Sequence, residues 1–409
     1  MTAIPLSAPD ITEAEIDAVT AVLRTNRLSL GPELEAFEHS MASYHGVAHA
    51  IAVSSGTAGL HLALLALGIG EGCEVIVPSF AFVAVANAVH YVGATPVFVD
   101  IDPVTLNLDP LLVEQAITSL TRAILVVHTF GVVAEMDRFV EIARRRSLAL
   151  IEDACEALGG EFDSQKAGSF GDVSIFGFYP NKQITTGEGG CILTRNAQVA
   201  ESLRSLRNHG RPVRERGGAN SQSIEHCSNW LNHIEIGYNY RLSEMACALG
   251  RIQFGRIDEI LALRRTAAVR YQELLGGIPG LELPALSLPR RSISWFVYAV
   301  RLTGEPKNGL LDSKARPAIQ NALAARGIAT ACYFAPIHLQ PAWSQRACAN
   351  GLRLHQTEAI ASRMLALPFF NRIQSNQQQQ VAEGLAAALS CERGEDPDRR
   401  HAPGNRFSI

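Results

Sequence analysis

The chain has 409 residues, enough for two domains of ordinary size, with 47% hydrophobic residues and a formal net charge of −4. That charge gives no electrostatic reason to expect nucleic acid or an acidic membrane surface as a partner. Its eight cysteines form no C-x-x-C pair, so neither a zinc site nor a disulfide framework is indicated, and the expected metal complement is none.

The opening MTAIPLSAPDITEAE lacks a basic region followed by an apolar one, and no apolar stretch is long enough to span a bilayer. We therefore expect a globular, cytoplasmic, enzyme-sized protein. Thr12 and Glu15 form a capping box at the first helix, with Ile16, Val19 and Leu23 on its apolar face. AIAV then reads as a short buried strand, Ser54 to Gly56 as a turn, and Thr57 to Leu67 as a helix. Short apolar runs (EVIVP, TPVFVDI, AILVVHTF, LALIEDA) alternate with helical patterns, and VSIFGF and CILT follow. This alternation predicts α/β units around a mostly parallel sheet. Ligands of such sheets bind beyond the carboxyl ends of the strands, which here carry Pro78, Asp100, His128 and Asp153.

The polar stretch RPVRERGGANSQSIEHCSNWLNH reads as a surface flap, and a long helix is expected from Ser243 through Arg265. The chain is expected to change to a second, smaller α+β domain near residue 260, with SWFVYAVRL as a strand and ARPAIQNALAARG as a helix. Ser375 and Gln378 can cap a last helix reaching about Ser390, and the charged, Pro- and Gly-containing segment from Cys391 reads as a disordered tail. The expected organisation is thus a large domain over 1–260, a small one over 261–390 and a tail over 391–409.

One lysine stands out. In FYPNKQITTGEGG, Lys182 follows the apolar run VSIFGF and precedes a loop of small residues. Burying an ammonium is costly, but burial lowers a lysine's pKa and supplies a neutral amine that can condense with an aldehyde. Pyridoxal 5'-phosphate (PLP) enzymes need such an amine. They also need a carboxylate at the pyridine nitrogen, a helix N-terminus for the phosphate and a flat apolar partner for the ring. Asp153 at the end of LALIED, Ser55, Gly56 and Thr57 at a helix start, and Phe82 after Pro78 are candidates in turn. Each has a plainer reading alone: SSGT as an N-cap, Phe82 as core, Asp153 as a helix cap, His128 as a satisfied core histidine and Cys155 as packing. Only their joint occurrence in this order is specific.

SSGTAGLHLAL, PSFAFVAVANAV, IEDACEALGG, GSFGDVSIFGFYPNKQITTGEGG and GYNYRLSEMACALG together resemble the DegT/DnrJ/EryC1/StrS family of sugar aminotransferases, from about residue 5 to residue 390. The resemblance implies an α/β chain of the PLP-dependent transferase fold type I (aspartate aminotransferase-like), with a mostly parallel mixed sheet in the large domain. It also implies that Lys182 carries the PLP and Asp153 partners the pyridine nitrogen. Phe82 would stack on the ring, Gly56 and Thr57 would hold the phosphate, and Asn239 of GYNYR would reach it from the neighbouring subunit. Two residues depart from the family pattern. Glu156 stands where many members have Gln, as in perosamine-synthase-like members, and Gly177 stands where many have a phosphate-binding Ser.

The implied reaction moves an amino group from glutamate to a keto group, expected at C4, of a nucleotide-linked sugar, in a homodimer with shared active sites. His338 in YFAPIHLQ resembles part of the family's active-site wall. Arg207, His209, Arg211 and Arg214 offer cations for a diphosphate. Two alternatives remain at this stage. A dehydratase of the same family would carry histidine in place of Lys182. A non-catalytic PLP-binding regulator would need a DNA-binding segment, and none is left over.

Overall fold

The computed structural model describes residues 3–212, 233–303 and 315–392. Nine strands are formed in the first half of the chain: β1 (His49–Val53), β2 (Glu74–Pro78), β3 (Thr95–Val99), β4 (Thr121–Val127), β5 (Ala149–Asp153), the short pair β6 (Glu161–Phe162) and β7 (Gln165–Lys166), β8 (Val173–Gly177) and β9 (Gly190–Thr194). Seven of them make one sheet in the order β1-β9-β8-β5-β4-β2-β3, with β9 antiparallel to both neighbours and every other pair parallel. The apolar runs form these strands because both sheet faces are covered. Phe37, Met41 and Phe139 pack on one face, and Leu60, Leu62 and Val85 on the other. The expected α/β class and mostly parallel mixed sheet are therefore found.

A second core is built on the antiparallel sheet β10 (Leu281–Glu282), β12 (Tyr298–Leu302) and β13 (Met364–Leu367). Between the first two lies β11 (Arg291–Ser292), which pairs back onto β6 of the large unit. The helix Ser375–Glu392 packs over the small core, so Cys391 and Glu392 are helical and the rest of the expected tail lies outside the described residues. The segment near the start joins this core too. Ile4 is 3% exposed, exchanges backbone hydrogen bonds with Gly327 and Ala329, and packs among the small unit's side chains. Six residues on, Asp10 pairs with Arg372 and Arg256.

The long helix expected over 243–265 is two helices, Glu244–Gly255 and Ile257–Leu275, interrupted at Arg256, whose φ of −107° and ψ of 16° leave the helical region. Arg256 turns its side chain to Asp10 and Glu15. The second helix gives Ile257 and Ile260 to the large core and Ala267, Ala268, Tyr271 and Leu275 to the small one, so the change of core falls within it, just past residue 260. Among the described residues no helix is long and apolar enough to cross a membrane, and no cluster of His, Cys, Asp and Glu could hold a metal.

Candidate active site

The carboxyl ends of β5 and β8 lie side by side, and β9 begins beside them because it runs the opposite way. The chain between β8 and β9 is a closed loop. Phe178 N–H donates to Gly189 O at 2.9 Å, Thr186 N–H returns to Phe178 O at 3.0 Å, and Thr185 Oγ1 donates to the same oxygen at 3.0 Å. Gln183 pins the middle of the loop through Nε2, which donates to Glu156 O at 2.7 Å and Ser294 Oγ at 2.8 Å. Lys182, next to that anchor, is turned inward with its side chain 15% exposed.

Lys182 Nζ lies 3.6 Å from Glu156 Oε1 and 3.9 Å from the centre of the Phe296 ring. The other Glu156 oxygen accepts the Phe130 N–H at 2.9 Å. Burial pushes the Glu156 carboxyl pKa up, while Lys182 and that N–H pull it down less strongly. Asp153 is buried and accepts the Cys155 N–H at 3.0 Å. Burial pushes the Cys155 thiol pKa well up, with further influence from Asp153, Lys182 and Glu156, so these three charged groups surround one inert sulfur.

A second set of atoms meets them from the opposite strand. Ser55 caps the helix Gly56–Ala66 by accepting the Ala58 N–H at 3.0 Å, leaving the N–H groups of Gly56 and Thr57 without partners inside the helix. A methyl group at Gly56 would stand 2.9 Å from Cys155 Sγ, and one at Gly177 3.2 Å from it. Gly177 is thus matched to the cysteine, which fills the space that a larger residue would need. At Gly190 a methyl would lie 2.6 Å from the Ser55 carbonyl carbon and oxygen. Gly190→Ala is therefore expected to push the helix start away, costing about 1–3 kcal/mol of stability and weakening cofactor retention. Parallel denaturant and cofactor titrations check this, and an unchanged variant in both would contradict the close approach.

The remaining expected residues are placed less centrally. Phe82 is 63% exposed just ahead of the helix Ala84–Tyr91, and Asn239 is exposed, bridged through its backbone to Asn208. His338 is fully buried. Its Nδ1 lies 2.7 Å from Ser79 Oγ, just past β2, and its Nε2 3.4 Å from Glu358 Oε1 in the helix His355–Ala361, so both ring nitrogens are engaged within the protein and neither is left for a substrate. Arg207 is likewise spoken for, buried against Glu38 and the Ala52 carbonyl. Arg211 is half-buried, and Arg214 lies outside the described residues. At the other strand ends, Asp100 accepts the N–H groups of Gln356 and Thr357. His128 is a core histidine between Glu152 and the Ala134 N–H.

Two residues at the site went unseen in the sequence. Phe296 was read only as part of a strand, SWFVYAVRL. Arg241, two residues after Asn239, donates to Asn208 Oδ1 at 2.9 Å; burial lowers its pKa, and Arg211 and Arg207 nearby lower it further. The signal available for Arg241 was its place in GYNYR; for Phe296 there was none.

The sequence profile of the DegT/DnrJ/EryC1/StrS aminotransferase family matches residues 9–386. The chain is 41% identical over 346 residues to the GDP-perosamine synthase of Caulobacter vibrioides, covering 84% of this chain and 88% of that protein. It is 38% identical over 375 residues to the dTDP-3-amino-3,4,6-trideoxy-alpha-D-glucose transaminase of Streptomyces venezuelae, covering 91% of each. Its fold is similar to that of DesV from S. venezuelae, solved in complex with a ketimine intermediate, with a TM-score of 0.81, 36% identity, and coverage of 95% of this chain and 98% of that one.

Proposed function

The chain belongs to the DegT/DnrJ/EryC1/StrS aminotransferase family, and from that premise we propose that it moves an amino group from glutamate to the C4 keto group of a nucleotide-linked sugar, using PLP in a homodimer with shared active sites. The observation that carries this reading is the inward-turned Lys182, held against Glu156 beside Asp153 and the capped helix start. The residues present fit the cofactor. Oδ1 of Asn181 is buried with no hydrogen-bond partner, Phe82 presents an open ring face, and the glycine positions leave room for no side chain where the helix start meets the strands.

Bound PLP supplies an electron sink for the pair left when a proton leaves carbon. Lys182 Nζ would anchor the cofactor and, once displaced by the incoming amine, carry the proton between carbon atoms. Asp153 would keep the pyridine nitrogen protonated. Glu156, whose carboxyl pKa burial raises, lies 3.6 Å from Lys182 Nζ and would hold and orient that amine. The N–H groups of Gly56 and Thr57, with the Thr57 hydroxyl, would hold the phosphate. Arg241 and Arg211 add positive charge near Asn239, which suits a diphosphate better than a free keto acid.

Turnover of a panel of keto sugar nucleotides with glutamate tests the assignment. A 4-keto sugar nucleotide should be the preferred acceptor. Turnover of simple keto acids, with no response to any keto sugar nucleotide, would overturn it. Shared sites have their own test. A mixture of Lys182→Ala and Asn239→Ala chains forms hybrids with one intact site, so random exchange should restore about a quarter of wild-type activity. Failure to regain activity after proven subunit exchange would place Asn239 in its own chain's site.

A further inference from the structure

A cavity of about 310 Å³ is lined by residues of both units, among them Phe130, whose N–H holds Glu156. Leu106, Phe130, Val132, Trp295, Val297 and Ala299 give it an apolar wall. Two polar atoms interrupt that wall: Thr129 Oγ1 and Arg301 Nε are buried with no hydrogen-bond partner, and both residues line the cavity. The other nitrogens of Arg301 are in use, Nη1 to Glu282 at 2.9 Å and Nη2 to Pro103 O at 3.0 Å. A buried polar group left unpaired is costly, because it has given up water and gained nothing in return.

Three wall residues are also strained. Leu106, Phe130 and Trp295 have φ of 62°, 57° and 50°, in the left-handed region where a Cβ crowds the backbone. Strain and unsatisfied groups gathered at one place call for a function. Phe130 and Trp295 also reach the lysine. The Phe130 N–H holds Glu156, and Phe296, next to Trp295, faces Lys182 Nζ. The buried Arg264 guanidinium ties the Trp295 and Phe296 carbonyls together at 2.6 and 2.7 Å, so one side chain positions both residues.

We propose that this cavity binds a small neutral aromatic or alicyclic molecule bearing one hydroxyl, and that its occupation is felt at Lys182. The ring would cover the apolar wall. Its hydroxyl would accept from Arg301 Nε and donate to Thr129 Oγ1, satisfying both atoms at once. A carboxylate is disfavoured because Glu282 already balances Arg301 and would face the second negative charge. The volume sits at the low end for ligand pockets, about 300–1,000 Å³, which suits a single ring and excludes a nucleotide.

Fluorine NMR of 4-fluorophenol added to the PLP-loaded protein tests the binding without reference to activity. Saturable binding is expected, with fluorobenzene and 4-fluorobenzoate weaker by about tenfold or more. Thr129→Val should weaken 4-fluorophenol about fivefold or more while leaving fluorobenzene unchanged. Ala299→Phe should fill the cavity and abolish binding, with the glutamate half-reaction retained. Equal affinity for fluorobenzene, or 4-fluorophenol binding that survives both substitutions, would overturn the site. Coupling is read from the pH titration of the holoenzyme's visible band, which 4-fluorophenol should shift in the wild type and not in Ala299→Phe. A band unmoved at saturation would overturn the link to Lys182. Should Ala299→Phe not fold, Thr129→Val carries both comparisons.

Discussion

Lys182→Ala is expected to abolish borohydride-reducible attachment of PLP and to lower turnover by about a thousandfold or more. The amine is held against Glu156 and the Phe296 ring, a placement that an alanine side chain cannot reproduce. Lys166 is the useful comparison. It is twice as exposed, lies 3.1 Å from Glu161 and stands over the Tyr44 ring, contacts that favour its charged form and hold it against a short hairpin. Reduction of the holoenzyme followed by peptide mapping should place the cofactor on Lys182 alone. A label on Lys166, or full turnover in the alanine variant, would remove the lysine from the mechanism.

Glu152→Leu should be the most destabilising single change near the site, by about 3–5 kcal/mol. Glu152 is fully buried and accepts five hydrogen bonds: from the N–H groups of Gly168, Phe170 and Gly171, from Ser174 Oγ, and from His128 Nε2. Leucine has nearly the right volume but would strand every donor in a space water cannot reach. Glu152→Gln, which keeps one acceptor oxygen, should lose less. Burial alone would raise the Glu152 pKa, but the His128 ring and the surrounding N–H groups outweigh it and hold the net value below the ordinary one. Its contribution is therefore fully present above the unfolded-state pKa of about 4.3 and is lost as pH falls through the lower folded value. Denaturant titrations from neutral to acid pH should show the gap between wild type and Glu152→Leu closing at the acid end. A gap below about 1 kcal/mol at neutral pH would mean that the ladder of hydrogen bonds rearranges at little cost.

Local patterns carried most of the large unit into view. AIAV, EVIVP and VSIFGF are short apolar runs bounded by turn residues, and each became a buried strand of the main sheet. The order of Asp153, Lys182 and the glycine-rich loop was readable because consecutive strand ends meet at one edge. What stayed hidden depends on partners distant in sequence. Arg207 looked like a free cation until Glu38, from a helix far upstream, was seen to pair with it. The break at Arg256 is announced only by Gly255 just before it; the carboxylates that turn the arginine aside come from the first fifteen residues. Phe296 was assigned to a strand by its apolar neighbours, but Trp295 adopts a left-handed conformation and the strand begins only at Tyr298.

The attachment of Ile4 and Asp10 to the small core sets a timetable for biosynthesis. Asp10 leaves the ribosome early, and Arg372, the later of the two arginines it pairs with, follows 362 residues later. At ordinary elongation rates that interval is about 20–70 s, during which the apolar face around Ile4 has no place to dock. The large unit can assemble its sheet meanwhile, since its strands are all made by Thr194. The small unit cannot complete itself from its own residues, so its final packing waits on a segment translated first. A C-terminal fragment starting at residue 261 should accordingly collapse without a cooperative transition, and regain one when a peptide covering residues 3–12 is supplied.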